Sequence, residues 1–298
     1  MIKFALKCVL CAVVCGLIYF GFLAYRIALV QDDVANEFTV AKDTDIVFVG
    51  SSQIGCGICT NSCFHNKKLW ASSSGPAFAR ARVMELDRRH QLENVHYVVV
   101  PFIVNNINHM RPTILGNGFA RQLSFMWRYV GTMPSLCEVI GSYINEYSSL
   151  PFTISEQSPV DPPSVRSRDE KWIEELPVND GSIKTILNPQ IYRTTSSSDW
   201  VDDIEACFRD IKHICSSRNI DLIVLAMPLP SFARKKLPVE CYSIYDEAAS
   251  RIRNLGIMFI DKRESMPDEC FFDYWHLIPD AAEQFTKMLY AEMGWSVR

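Results

Sequence analysis

The sequence predicts an α/β protein of three layers, αβα, with a five-stranded parallel sheet between helices and one transmembrane helix ahead of it. Three observations carry that expectation. Unbroken apolar runs ending at Val49, at Val100 and at Ala226 have the β-branched character of strands buried on both faces. Between such runs apolar residues recur at helical spacing, and strands alternating with helices imply a parallel sheet with right-handed crossovers. The stretch Cys8–Tyr25 carries no charge, and at about 1.5 Å per residue it is roughly as long as a hydrocarbon core is thick.

Taken in order, residues 1–34 are read as an N-terminal anchor with its flanks, and 35–298 as one domain. Lys3 and Lys7 precede the uncharged run, while Asp32, Asp33 and Glu37 follow Arg26. The positive-inside rule then places the N-terminus in the cytoplasm and the main domain outside the cytoplasmic membrane. A cleaved signal peptide is the alternative, but its apolar core is usually shorter and no Ala-x-Ala-like site follows here. Gln31–Thr44 is a polar connector, and Asp45–Val49 is the first strand. Lys68–Ala71 reads as a short second strand. Gly75-Pro76 opens a helix running to about Leu92, because Pro is favoured at the first helical position. Its Ala79, Val83 and Leu86 form the apolar face, with Arg80, Arg82, Arg88 and Arg89 mostly solvated.

Val95–Val100 is the third strand, ended by Pro101. Residues 113–149 read as two helices broken around 131–134, and 150–197 is an irregular insertion rich in Pro, Ser and Asp. Ser198 caps the next helix, whose Ile204, Cys207 and Ile211 share a face. Asp221–Ala226 is the fourth strand, left through the extended Met227-Pro228-Leu229-Pro230. A helix from about Cys241 ends at Gly256, Ile257–Ile260 is the fifth strand, and the last helix covers Asp280–Met293.

Two motifs carry chemistry. The first strand runs into Gly50-Ser51-Ser52, where a glycine lets the backbone turn sharply and raise the next side chains above the sheet edge. Near the C-terminus Asp273 and His276 lie three residues apart in a loop, followed by Leu277-Ile278-Pro279. A serine hydrolase needs a base to take the hydroxyl proton and an acid to fix that base's tautomer, and an Asp-x-x-His turn supplies both. Together the two motifs resemble the SGNH or GDSL-type hydrolase superfamily, and more narrowly its membrane-anchored cell-envelope members, similar to teichoic-acid D-alanylation and alginate acetylation proteins. The resemblance covers roughly residues 40–298, with specific motifs only at its two ends.

That resemblance implies a flavodoxin-like SGNH fold of strand order 2-1-3-4-5, with Ser52 as nucleophile, His276 as base and Asp273 as its orienting acid. It implies an oxyanion site at the Gly50-Ser51-Ser52 turn, completed by either Ser72 or Gly75 in a second block. The family's third block, Gly-x-Asn-Asp, is replaced here by Pro101-Phe102-Ile103-Val104-Asn105-Asn106, which leaves Asn105 and Asn106 as the candidate donors. The implied activity is that of a serine esterase or O-acyltransferase on a cell-envelope polysaccharide or other acylated polymer, with a membrane acyltransferase as a possible partner. No metal or organic cofactor is required. A catalytically inactive binding or assembly protein on the same sheet is the alternative, favoured by the missing third block.

Composition narrows the partners. The net charge of -4 and the lack of a long basic stripe leave no nucleic-acid footprint. Of the 11 cysteines, Cys56, Cys59 and Cys63, with His65 nearby, resemble a metal cluster. Four-ligand zinc sites usually draw pairs from two separated segments, so these read instead as small packing residues or one disulfide. Cys207 and Cys215 are two turns apart on one helix and cannot pair with each other. A metal-binding or redox module built on the cysteines is a third reading.

Overall fold

The computed structural model describes residues 2–29, 31–60, 63–70, 75–103 and 197–297. Two helices, α1 (Ile2–Leu29) and α2 (Gln31–Glu37), lead to strand β1 (Ile46–Gly50), then helix α3 (Ser52–Gly57), strand β2 (Asn66–Trp70), helix α4 (Pro76–Arg88) and strand β3 (Tyr97–Pro101). Helix α5 (Ser197–Ser217), strand β4 (Asp221–Ala226), helices α6 (Ser231–Lys236) and α7 (Val239–Asn254), strand β5 (Met258–Asp261) and helix α8 (Pro279–Met293) follow. The sheet is entirely parallel with order β2-β1-β3-β4-β5, the order expected above.

The strands form where β-branched runs can be buried on both faces. Val47, Phe48, Val49, Val98, Val99 and Val100 are all fully buried. Against them α4 packs Ala79, Val83 and Leu86, α5 packs Ile204, Phe208 and Ile211, and α8 packs Phe285 and Leu289. Because order runs 2-1-3, the chain reverses direction of travel across the sheet at β1, and ligands of such sheets bind at the carboxyl ends of the strands beside that point.

Several boundaries move. Helix α4 ends at Arg88, where the sequence pattern extended to about Leu92; His90 adopts a positive φ of 57°, which an α-helix does not continue through. Helix α6 was not expected at all. Arg82 is only 1% exposed, so its place among solvated arginines is corrected. It lies beneath the Phe78 ring at 6.0 Å and reaches the Gly50 carbonyl at 3.5 Å, and Glu37 of α2 supplies a favourable field.

Helix α1 covers the stretch expected to span a membrane and leaves Phe4, Leu10, Val14 and Leu17 exposed. Among the described residues, however, no helix is long and apolar enough to cross a membrane; several side chains of α1 lie outside the described set. The two helices expected at 113–149 and the insertion at 150–197 fall almost wholly outside the described residues, as does Ser72.

Candidate active site

The end of β1 is shaped by a close approach, not by an unusual turn. Gly50 has no positive φ. A Cβ placed on it would stand 2.3 Å from Cγ and 2.5 Å from Cδ of Pro101 on neighbouring β3, so only glycine lets β1 and β3 close here. This corrects the expectation that Gly50 serves a sharp turn. Ser51 then caps α3: its extended backbone (φ -87°, ψ -174°) leaves the hydroxyl to accept from the Gln53 amide at 3.4 Å. Ser52 is the first helical residue, and its side chain leaves the cap half-buried.

Helix α3 is fixed from its other end by Lys68. That side chain rises from edge strand β2 and donates to the carbonyls of Gly55 and Ile58, each at 2.7 Å. These are carbonyls that a helix end leaves without intrahelical partners, and a cation there also meets the negative end of the helix. Burial pulls the Lys68 ammonium below its ordinary value, while Cys56 and Cys59 act the other way.

The acid and base come from the loop between β5 and α8. Phe271 and Leu277 form an antiparallel bridge, with the Phe272 amide donating to the His276 carbonyl at 3.0 Å. Inside that tight loop, Asp273 Oδ1 accepts from the amides of Trp275 at 2.7 Å and His276 at 2.8 Å. An Asp side chain holding its own turn in this way is a recurrent use of that residue. Its second oxygen, Oδ2, lies 2.7 Å from His276 Nδ1. His276 Nε2 lies 2.8 Å from Ser52 Oγ, across 224 positions of sequence. The Phe272 ring stacks on the imidazole at 5.4 Å between centroids.

This geometry assigns the imidazole tautomer. A carboxylate only accepts, so Nδ1 carries the proton toward Asp273 and Nε2 is left to accept from the Ser52 hydroxyl. The arrangement sets a hydroxyl, an imidazole within hydrogen-bond reach of it and a carboxylate orienting that imidazole in one line, the geometry that nucleophilic catalysis requires. Cys56, one turn along α3, has its thiol pushed up by burial first and by the Asp273 charge second.

The other sequence candidates fall elsewhere. Gly75 is buried at the N-cap of α4, and its carbonyl accepts from Phe78 and Ala79. Ser72, Asn105 and Asn106 lie outside the described residues. Among the described residues Cys56, Cys59, Cys207 and Cys215 carry unbridged thiols. Among the described residues no group of metal-ligating side chains converges. A cavity of about 270 Å³ opens at the amino ends of β3, β4 and β5, beside Tyr97, Asp221 and Met258, which is the sheet edge opposite Ser52.

Sequence reasoning missed Lys68, the Phe272 stack and Gln53. Lys68 left a faint signal, the second of two adjacent lysines in a short strand. Compared with models of known families the chain matches none, and no curated protein matches it.

Proposed function

We propose that this chain is a membrane-anchored serine esterase or O-acyltransferase that acts on a cell-envelope glycan or polymer. The single observation that carries the reading is the continuous Ser52–His276–Asp273 hydrogen-bond chain. In the proposed reaction Ser52 Oγ attacks an acyl carbonyl as its proton passes to His276 Nε2. Asp273 stabilises the imidazolium so formed, and His276 then returns the proton to the departing alcohol. Water or a second hydroxyl takes the acyl group from Ser52 in the reverse sense. The oxyanion is assigned to the Ser52 amide, together with Gly75, Ser72, Asn105 or Asn106, by the resemblance alone.

The uncharged run Cys8–Tyr25 is taken as the anchor, and the charge asymmetry around it is what supports an extracytoplasmic domain. An anchored enzyme of this kind meets polymers of the envelope, which is the support for that substrate class.

A fluorophosphonate probe tests the nucleophile. It should label wild-type protein and fail on Ser52→Ala, while Ser51→Ala, which loses only a helix cap, should retain labelling. Equal labelling of wild type and Ser52→Ala would leave a binding or assembly protein as the better reading.

A further inference from the structure

Gln53, next to the nucleophile, has a carboxamide with no hydrogen-bond partner among the described residues. The residue is 3% exposed, yet among those residues neither its carboxamide oxygen nor its nitrogen is satisfied. Buried polar groups are nearly always satisfied, and the exceptions ask for a reason. Nearby polar groups are served: Ser51 by the helix cap, Lys68 by two carbonyls, Asp273 by two amides and an imidazole.

The helix tells which way Gln53 faces. Successive residues turn by about 100°, so Gln53 lies between the face of Ser52 and Cys56 and that of Gly57. Ser52 meets His276. A Cβ on Gly57 would meet Met227 at 2.5 Å and Leu277 at 4.0 Å, and Met227 directly follows β4. Gln53 therefore faces the space between His276 and the carboxyl end of β4, one turn nearer the nucleophile than Gly57. That is the side of the sheet where such folds bind ligands.

We propose that Gln53 selects the alcohol part of the substrate: its carboxamide takes a neutral group offering both a donor and an acceptor, carried by the alcohol that departs as Ser52 is acylated. A carboxamide offers both functions and no charge, so it matches a sugar hydroxyl or an amide and not an ion. In an almost dry setting such a match counts for more than in water. The inference rests on Ser52 being the nucleophile. The step itself forms the Ser52 Oγ–acyl carbon bond and breaks the ester's bond between acyl carbon and alcohol oxygen, with the serine proton ending on the departing alcohol.

The test uses the full chain in detergent and three acetate esters of primary alcohols: methyl glucoside acetylated at its primary hydroxyl, O-acetyl-N-acetylserinamide and cyclohexylmethyl acetate. Alcohol release gives kcat/KM for each. Wild type should favour at least one polar ester over the cyclohexyl ester by about 100-fold or more, since a site with buried polar groups rejects partners that leave them unpaired. Gln53→Met should bring that ratio below about 10, because its apolar chain no longer makes the distinction. Whichever polar ester is favoured identifies a hydroxyl or an amide as the group read.

A second readout is independent of activity. An orphaned carboxamide replaced by methionine should leave the unfolding midpoint unchanged or raise it by about 2 °C. A fall of several degrees would mean that Gln53 has a structural partner, and would overturn the proposal. So would a wild-type ratio near one, or an unchanged ratio in Gln53→Met, with the nucleophile reading left intact. Wild-type protein that neither takes the fluorophosphonate nor turns over any ester overturns both.

Discussion

At the scale of residues, Asp273 does two jobs with two oxygens, and a substitution can separate them. Oδ1 holds the loop through two amides, while Oδ2 faces His276 Nδ1. Asp273→Asn keeps one acceptor oxygen for the loop but presents an NH2 to Nδ1. The imidazole then carries its proton on Nε2, where it can no longer accept from Ser52. The expected outcome is a loss of about 10³- to 10⁴-fold in the rate of acylation with 4-nitrophenyl acetate, with the unfolding midpoint nearly unchanged. A loss of less than about tenfold would remove Asp273 from the relay. The Asp-x-x-His spacing was legible in the sequence because one short loop can carry acid and base together. Gln53 was not, since nothing in a glutamine after a serine marks it as buried and unpartnered. Gly50 was legible as a required glycine, but for a different reason, because the Pro101 ring that excludes a side chain is 51 positions away.

Among elements, the strands and long helices could be read directly, because β-branched runs and a period of 3.6 residues survive in one dimension. Strand β4 falls at Asp221–Ala226 and helix α8 at Pro279–Met293, within one residue of the sequence reading. Helix α6 escaped because six residues between Pro230 and Leu237 are too few to display a period. It stands because the Ser231 amide and hydroxyl both donate to Asp268, at 2.5 and 2.6 Å, and Lys236 donates to Tyr274 at 3.0 Å. The short α3 has the same weakness and a different remedy, Lys68. Lys68→Met should destabilise the fold by about 2 kcal/mol, the order of a buried charge-assisted hydrogen bond lost with its acceptors left unpaired. Because Ser52 opens the helix that Lys68 holds, acylation should also fall, by about 10- to 100-fold for a displacement of the order of 1 Å. Urea unfolding and 4-nitrophenyl acetate turnover read the two effects separately. A variant as stable and as active as wild type would show that α3 needs no clamp.

For the whole molecule, topology was legible once the resemblance supplied a strand order, but the ionisable groups closed inside the core were not, since burial is a property of the assembled layers. Three such groups, each raised to about 12, bear on alkaline stability, beside Tyr245, whose phenol burial pushes up further still. Cys207 and Cys215, on the face of α5 turned to the core, have thiols pushed up to about 12, chiefly by burial. Tyr290 in α8, which donates to the Phe64 carbonyl, is likewise pushed up to about 12 by burial first. All three values are raised above those of the unfolded chain, so the folded state binds more protons between the two. Their contribution is therefore fully present below about pH 9 and is lost as pH rises toward about 12. At about pH 10.5 each thiol should already have cost about 2 kcal/mol, at 1.36 kcal/mol for each pH unit above the unfolded value. Urea unfolding under reducing conditions, between about pH 8 and about pH 10.5, measures this slope. Cys207→Ala with Cys215→Ala should flatten most of it and leave the smaller contributions of Tyr245 and Tyr290. If wild-type stability is constant over that range, or the double variant keeps the full slope, the thiols are not what couples this core to alkali.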